Sequence, residues 1–110
     1  MRISVQQDRL VRHASPDIPD DVEESISRES IAAIVVETST ADATPRLLHW
    51  FVRHHRGWTL HFNSDASGVD EAMAWFRSFA GFDWNGLGQA RQCPDREDFQ
   101  LWRCGIPNAG

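Results

Sequence analysis

The chain has 110 residues, 41% of them hydrophobic and 25% charged, with five Trp, six Phe and a formal net charge of −5. That size and composition point to one globular domain, able to bury about two-thirds of its unfolded surface around an aromatic-rich core. All eleven basic residues are Arg; the lack of Lys excludes Schiff-base and pyridoxal chemistry and the phosphate-loop lysine, and the negative balance argues against a dedicated nucleic-acid binder.

From Arg2 to His13 the alternating pair Ile3 and Val5 and the apolar pair Leu10 and Val11 suit a short hairpin. The N-terminus has no apolar signal-peptide core, and no apolar run in the chain approaches the length of about 18 residues needed to cross a bilayer, so a cytoplasmic protein without membrane attachment is expected. Ala14 to Asp21, with two prolines and three aspartates, reads as a surface loop leading to a short strand over Val22 to Ile26. Asp17, Asp20, Asp21, Glu23 and Glu24 make this the acidic end of the molecule: a solvated loop, or a docking patch for a basic partner.

Ser27 to Ser30 carries turn chemistry ahead of the β-branched run Ile31 to Thr38, read as a central strand covered on both faces at least over its first half. A polar loop from Ser39 to Pro45 precedes the hairpin segment Leu47 to Asn63. A three-residue loop His55-Arg56-Gly57, with Gly57 at positive φ, sets His54 opposite Trp58, Val52 opposite Leu60 and Trp50 opposite Phe62. That register makes one face apolar and the other polar, with His49, Phe51 and Arg53 facing Asn63, His61 and Thr59.

Ser67 followed by Asp70 reads as an N-cap with an acid in the first turn, and Gly81 as a C-terminal stop, for a main helix with Val69, Ala72, Met73, Phe76 and Ala80 on its apolar stripe. The stripe is expected to pack on Trp50, Trp58, Leu60 and Phe62. A short helix or turn is read over Asp83 to Ala90, against the helix-weakening Gly86 and Gly88. Phe99 to Cys104 forms a last strand, ended by Gly105 and Pro107. The expected fold is α+β: a mostly antiparallel sheet with one main helix on one face, two layers, and the C-terminal strand returning to the sheet.

Several segments together resemble a family of small uncharacterised bacterial proteins: Ile26-Ser27-Arg28-Glu29-Ser30-Ile31, the Trp58 hairpin, Gly68-Val69-Asp70, Gly81-Phe82-Asp83-Trp84 and Phe99-Gln100-Leu101-Trp102-Arg103. Some members look like immunity proteins that neutralise a toxin. The resemblance spans about Val22 to Arg103, implies the same fold and carries no catalytic residue.

The candidate chemistry is sparse. His49 and His61 are diagonal neighbours about 7 Å apart on the polar hairpin face, a separation two imidazoles can close around a metal, but no third ligand follows from the spacing. Cys93 and Cys104 read as free thiols of a reducing compartment, with no context that lowers their pKa. The serines and threonines between Glu37 and Pro45 include no nucleophile elbow, and Gly86-Leu87-Gly88 follows a helix where a dinucleotide fingerprint follows a strand. The sequence therefore points to a non-enzymatic protein-binding domain, of the immunity type in its most specific form, with no cofactor. Its candidate surfaces are the acidic residues Asp20, Asp21, Glu23 and Glu24 and the basic hairpin face of Arg46, His49, Arg53, Arg56 and His61. The alternative is a small-ligand or metal-binding domain using the polar face around His49, Phe51 and His61. An edge-to-edge homodimer is compatible with either.

Overall fold

The alternating residues at the start of the chain close a tight hairpin, β1 (Ile3–Gln6) and β2 (Arg9–Arg12), in the computed structural model, which describes residues 1–40 and 47–105. Most of the Ser39 to Pro45 loop, Arg46 and Pro107 lie outside those residues. The turn residues Gln7 and Asp8 sit at φ +53° and +60°, the left-handed pair that a two-residue hairpin loop requires. β3 (Glu24–Ser27) adds antiparallel to β2, two residues later than the expected start, because Val22 stays exposed and its carbonyl accepts a hydrogen bond from Arg12. The inward residues Ile3, Leu10 and Ile26 of this three-stranded sheet are fully buried.

A single 3-10 turn over Arg28–Ser30 leads into β4 (Ile31–Thr38), the strand that organises the second sheet. It lies between β5 (Leu48–His54) and β7 (Asp98–Arg103), with β6 (Thr59–Asn63) outside β5, giving the order β6-β5-β4-β7, antiparallel throughout. Cover on both faces of β4 extends over Ile31, Ala33 and Ile34, whereas Val35 and Glu37 are half-buried. The β5–β6 register is the expected one: Trp50 faces Phe62, Val52 faces Leu60, the His54 amide donates to the Trp58 carbonyl at 2.8 Å, and Gly57 holds φ +95°. Trp58 corrects its expected place in the core. It is 40% exposed and stacks on His54 at 4.7 Å, because the covering layer ends at the Val52–Leu60 rung, one short of the hairpin tip.

Two helices of similar length cover the inner face of the sheet, α1 (Val69–Phe76) and α2 (Trp84–Gln92), the second where a short helix or turn is expected over Asp83 to Ala90, which completes the expected α+β fold. Ser67 is not the cap of α1. The N-cap is Gly68 at φ +93°, since the Ser67 peptide is engaged by β1: its amide donates to the Met1 carbonyl at 3.0 Å and its carbonyl accepts from the Ile3 amide at 2.8 Å. The helix ends at Phe76, four residues before Ala80, which is exposed and no part of the apolar stripe. Phe76 stacks on Trp50 and Phe82 and meets Phe79 edge-on, tying α1 to the sheet and to the segment before α2. In α2 the Asp83 carboxylate caps the Gly86 amide at 2.8 Å, and a Cβ at Gly86 would stand 2.6 Å from that carboxylate. The glycine that weakens the helix is thus the residue its cap requires.

Arg28 ties the first hairpin to the end of α1 from the 3-10 turn. Its guanidinium holds both Asp8 carboxylate oxygens, donates to Ser78 Oγ at 2.7 Å and lies over the Phe79 ring at 4.6 Å. Asp8 also accepts from Trp75 Nε1 at 2.9 Å, and these bonds hold its carboxyl below the ordinary value, the Arg28 bond most of all.

Candidate functional site

The helices leave one face of the four-stranded sheet open, and the strand registers assign its side chains row by row. One row reads Asp98, Glu37, His49, Asn63; the next Gln100, Val35, Phe51, His61; the third Arg103, Ala33, Arg53, Thr59. The sequence-derived residues His49, Phe51, Arg53 and His61 therefore share one surface. Val35 and Arg103 join it from β4 and β7. Arg103 reaches this face through a β-bulge: Ile34 pairs with Trp102 and Val35 with Gln100, so Leu101 is an extra residue and the side-chain alternation shifts by one. Strict alternation would have put Arg103 on the side of Leu101, which is buried in the core.

The centre of the face is a run of rings. His49 stacks on His61 at 5.7 Å between centroids, and His61 on Phe51 at 5.0 Å. His49 is oriented by its Nδ1, which donates to the Asn63 side-chain oxygen at 2.9 Å. The His61 imidazole is held below its ordinary pKa of 6.5, first by partial burial, then by the neighbouring His49 and Arg12, with Glu37 opposing. Beside these rings a recess of about 420 Å³ opens between Glu37, Ser39, His49, Phe51 and Arg96, crossed by the Arg96–Glu37 ion pair at 3.0 Å. At the other end Arg53 and Arg103 flank Ala33, both exposed and without an acidic partner among the described residues, while Ala33 itself is buried.

The acidic segment is partly tied down by ion pairs. Arg12 binds Glu24 at 2.8 Å and Asp21 at 3.3 Å, and Asp21 also accepts from the Ser15 amide, the bond that contributes most to lowering its pKa. Glu23 lies 3.4 Å from His13, and Asp20 sits exposed in the turn at φ +64°. Two of the four candidate acids thus close the loop onto β2. Cys93 and Cys104 are free and half-buried, on different segments. Among the described residues no three His, Cys, Asp or Glu side chains are arranged to hold a metal ion, and no helix is long and apolar enough to cross a membrane.

Comparison of the chain with protein-family models, with curated proteins and with solved structures finds no match. The functional reading is therefore built on the geometry of the open face.

Proposed function

We propose that this chain is a protein-binding domain without catalytic activity, that its docking surface is the open face of the four-stranded sheet, and that its partner presents an acidic surface. One observation carries this reading: a half-buried platform of His49, His61, Phe51 and Val35 is bordered by Arg53, an exposed guanidinium with no acidic partner among the described residues. Rings that lose little entropy on contact, beside arginine, are the groups that dominate binding energy at protein interfaces. Arginine also steers association with an acidic surface. The acidic loop is the weaker candidate, since Asp21 and Glu24 are engaged by Arg12. The proposed compartment is the cytoplasm, where Cys93 and Cys104 would stay thiols. Neutralising a bound toxin, the immunity-type form of this role, draws its support from the resemblance to a family of small bacterial proteins of which some members look like immunity proteins.

The test is capture from lysate of the source organism by the tagged wild type, with Arg53→Glu, Phe51→Ala and Asp20→Ser as parallel baits. A protein retained stoichiometrically by the wild type and by Asp20→Ser, and held at least about tenfold more weakly by the two face variants, is the expected result. Equal retention by all four, or no protein retained by the wild type, overturns the proposal. A second reading is favoured by the recess at Glu37, His49 and Phe51, whose volume lies within the range of small-ligand sites. In that case native mass spectrometry of the purified protein shows an added mass that His49→Ala removes.

A further inference from the structure

Among the described residues the two sheets have four edge strands, β1, β3, β6 and β7, and β1 is closed by the fold. The outward amides of β1 are taken by the Ser67 carbonyl at Ile3 and by the Glu71 carboxylate at Val5, at 2.8 and 3.0 Å. β3 and β6 approach each other from the two sheets without pairing. The edge with complementary charges is β7, flanked near Leu101 and Trp102 by Asp83 and Ala80, and its outward groups follow from its pairing with β4. The Thr38 amide donates to the Glu97 carbonyl and the Cys104 amide to the Ala32 carbonyl, both at 2.8 Å. With the bulge at Leu101, the hydrogen-bonded rungs between these ends are Val36–Phe99 and Ile34–Trp102. Asp98, Gln100 and Arg103 therefore turn their N–H and C=O away from β4, and all three are exposed. The bulged Leu101 carbonyl accepts from the Asp83 amide at 2.7 Å and takes no part in that outward row.

We propose that β7 pairs antiparallel with β7 of a second copy, about a two-fold axis through Gln100, making a homodimer with one continuous eight-stranded sheet. In that register Asp98 faces Arg103 of the second copy, Gln100 faces Gln100, and Arg103 faces Asp98. The residues brought opposite each other are the ones whose backbone groups point outward, so the ladder and the two ion pairs are satisfied together. Charged residues and a bulge can also protect an edge from pairing. Here the end charges are opposite in sign and match under the two-fold, which favours the second copy as occupant. The open faces of both copies then lie on the same side of the joined sheet, and Arg53 keeps its charge free on each. This inference goes beyond the docking proposal and is tested without any partner protein.

Sedimentation velocity of the full chain is expected to show a species of twice the 12.5 kDa chain mass. Asp98→Arg and Arg103→Asp each place like charges at both ends of the ladder, so each alone is expected to dimerise about tenfold more weakly or less well still. An equimolar mixture of the two restores opposite charges at both ends of the ladder and is expected to recover the dimer. Gln100→Pro removes an outward N–H while leaving the β4 rungs intact, and is expected to be monomeric with an unchanged circular dichroism spectrum. A wild type that sediments as monomer up to millimolar concentration overturns the proposal, as does a dimer indifferent to all three substitutions.

Discussion

Gly68→Ala isolates the contact that joins the start of the chain to α1. At φ +93° a residue with a Cβ costs about 1–2 kcal/mol in backbone strain alone. The added carbon would also stand 1.9 Å from the Ile3 carbonyl oxygen, a distance that cannot be kept, so the Ile3–Ser67 contact must open. Two hydrogen bonds go with it, Ile3 N–H to Ser67 and Ser67 N–H to Met1, each with a net value of about 1 kcal/mol. The sum is roughly 3–4 kcal/mol, a large share of the 5–15 kcal/mol typical of a domain. Gly81 is the internal control: its φ is +82°, yet a Cβ there meets nothing within 4 Å, so Gly81→Ala should show the strain alone, about 1–2 kcal/mol. Gly88, inside α2 with open space around it, should gain about 0.5–1 kcal/mol as Ala. Urea unfolding followed by tryptophan fluorescence measures all three. If Gly68→Ala and Gly81→Ala destabilise equally, the close approach of Ile3 to the entry of α1 is refuted.

Other expectations concern the ionic and polar groups. Arg28→Lys loses the planar stacking over Phe79 and the two-oxygen grip on Asp8, and should lower unfolding stability by about 1 kcal/mol in the same urea assay. His61 has a folded pKa below its ordinary 6.5, so the unfolded chain takes up its proton first on acidification. Its contribution is complete above pH 6.5 and is lost as the pH falls through the folded value, and His61→Gln should flatten stability between pH 8 and pH 5. Asp8 and Asp21, both lowered from 3.8, add a second acid limb: their contributions hold above that value and fade below it, and Asp8→Asn should shift the acid-unfolding midpoint upward. Asp83→Ala removes the cap of α2 and should cost about 1 kcal/mol by thermal or urea unfolding.

The elements that sequence alone located are those with local cause. The β5–β6 register followed from period-two apolar residues and a glycine at the one loop position needing positive φ, and β4 from an uninterrupted β-branched run. Four of the candidate residues, His49, Phe51, Arg53 and His61, could be placed on one face for the same reason. What was not legible depends on contacts distant in the chain. Ser67 has the local look of a cap, but its peptide is used by Met1 and Ile3. The acids Asp21 and Glu24 look free until Arg12 is brought to them across the first hairpin. Arg103 belongs to the open face only because Leu101 bulges, beside a Trp102 held by Phe79 and by the Ala80 carbonyl, residues about twenty positions away in the chain.

The claim that the open sheet face is the docking surface is tested most directly by hydroxyl-radical footprinting of the protein alone and with its captured partner. Protection is expected at Val35, His49, Phe51 and His61, with Ile18 and Val22, exposed at 58% and 64% beside the acidic loop, labelled equally in both states. Protection at Ile18 and Val22 with the sheet face unchanged would contradict it and return the docking surface to the acidic loop.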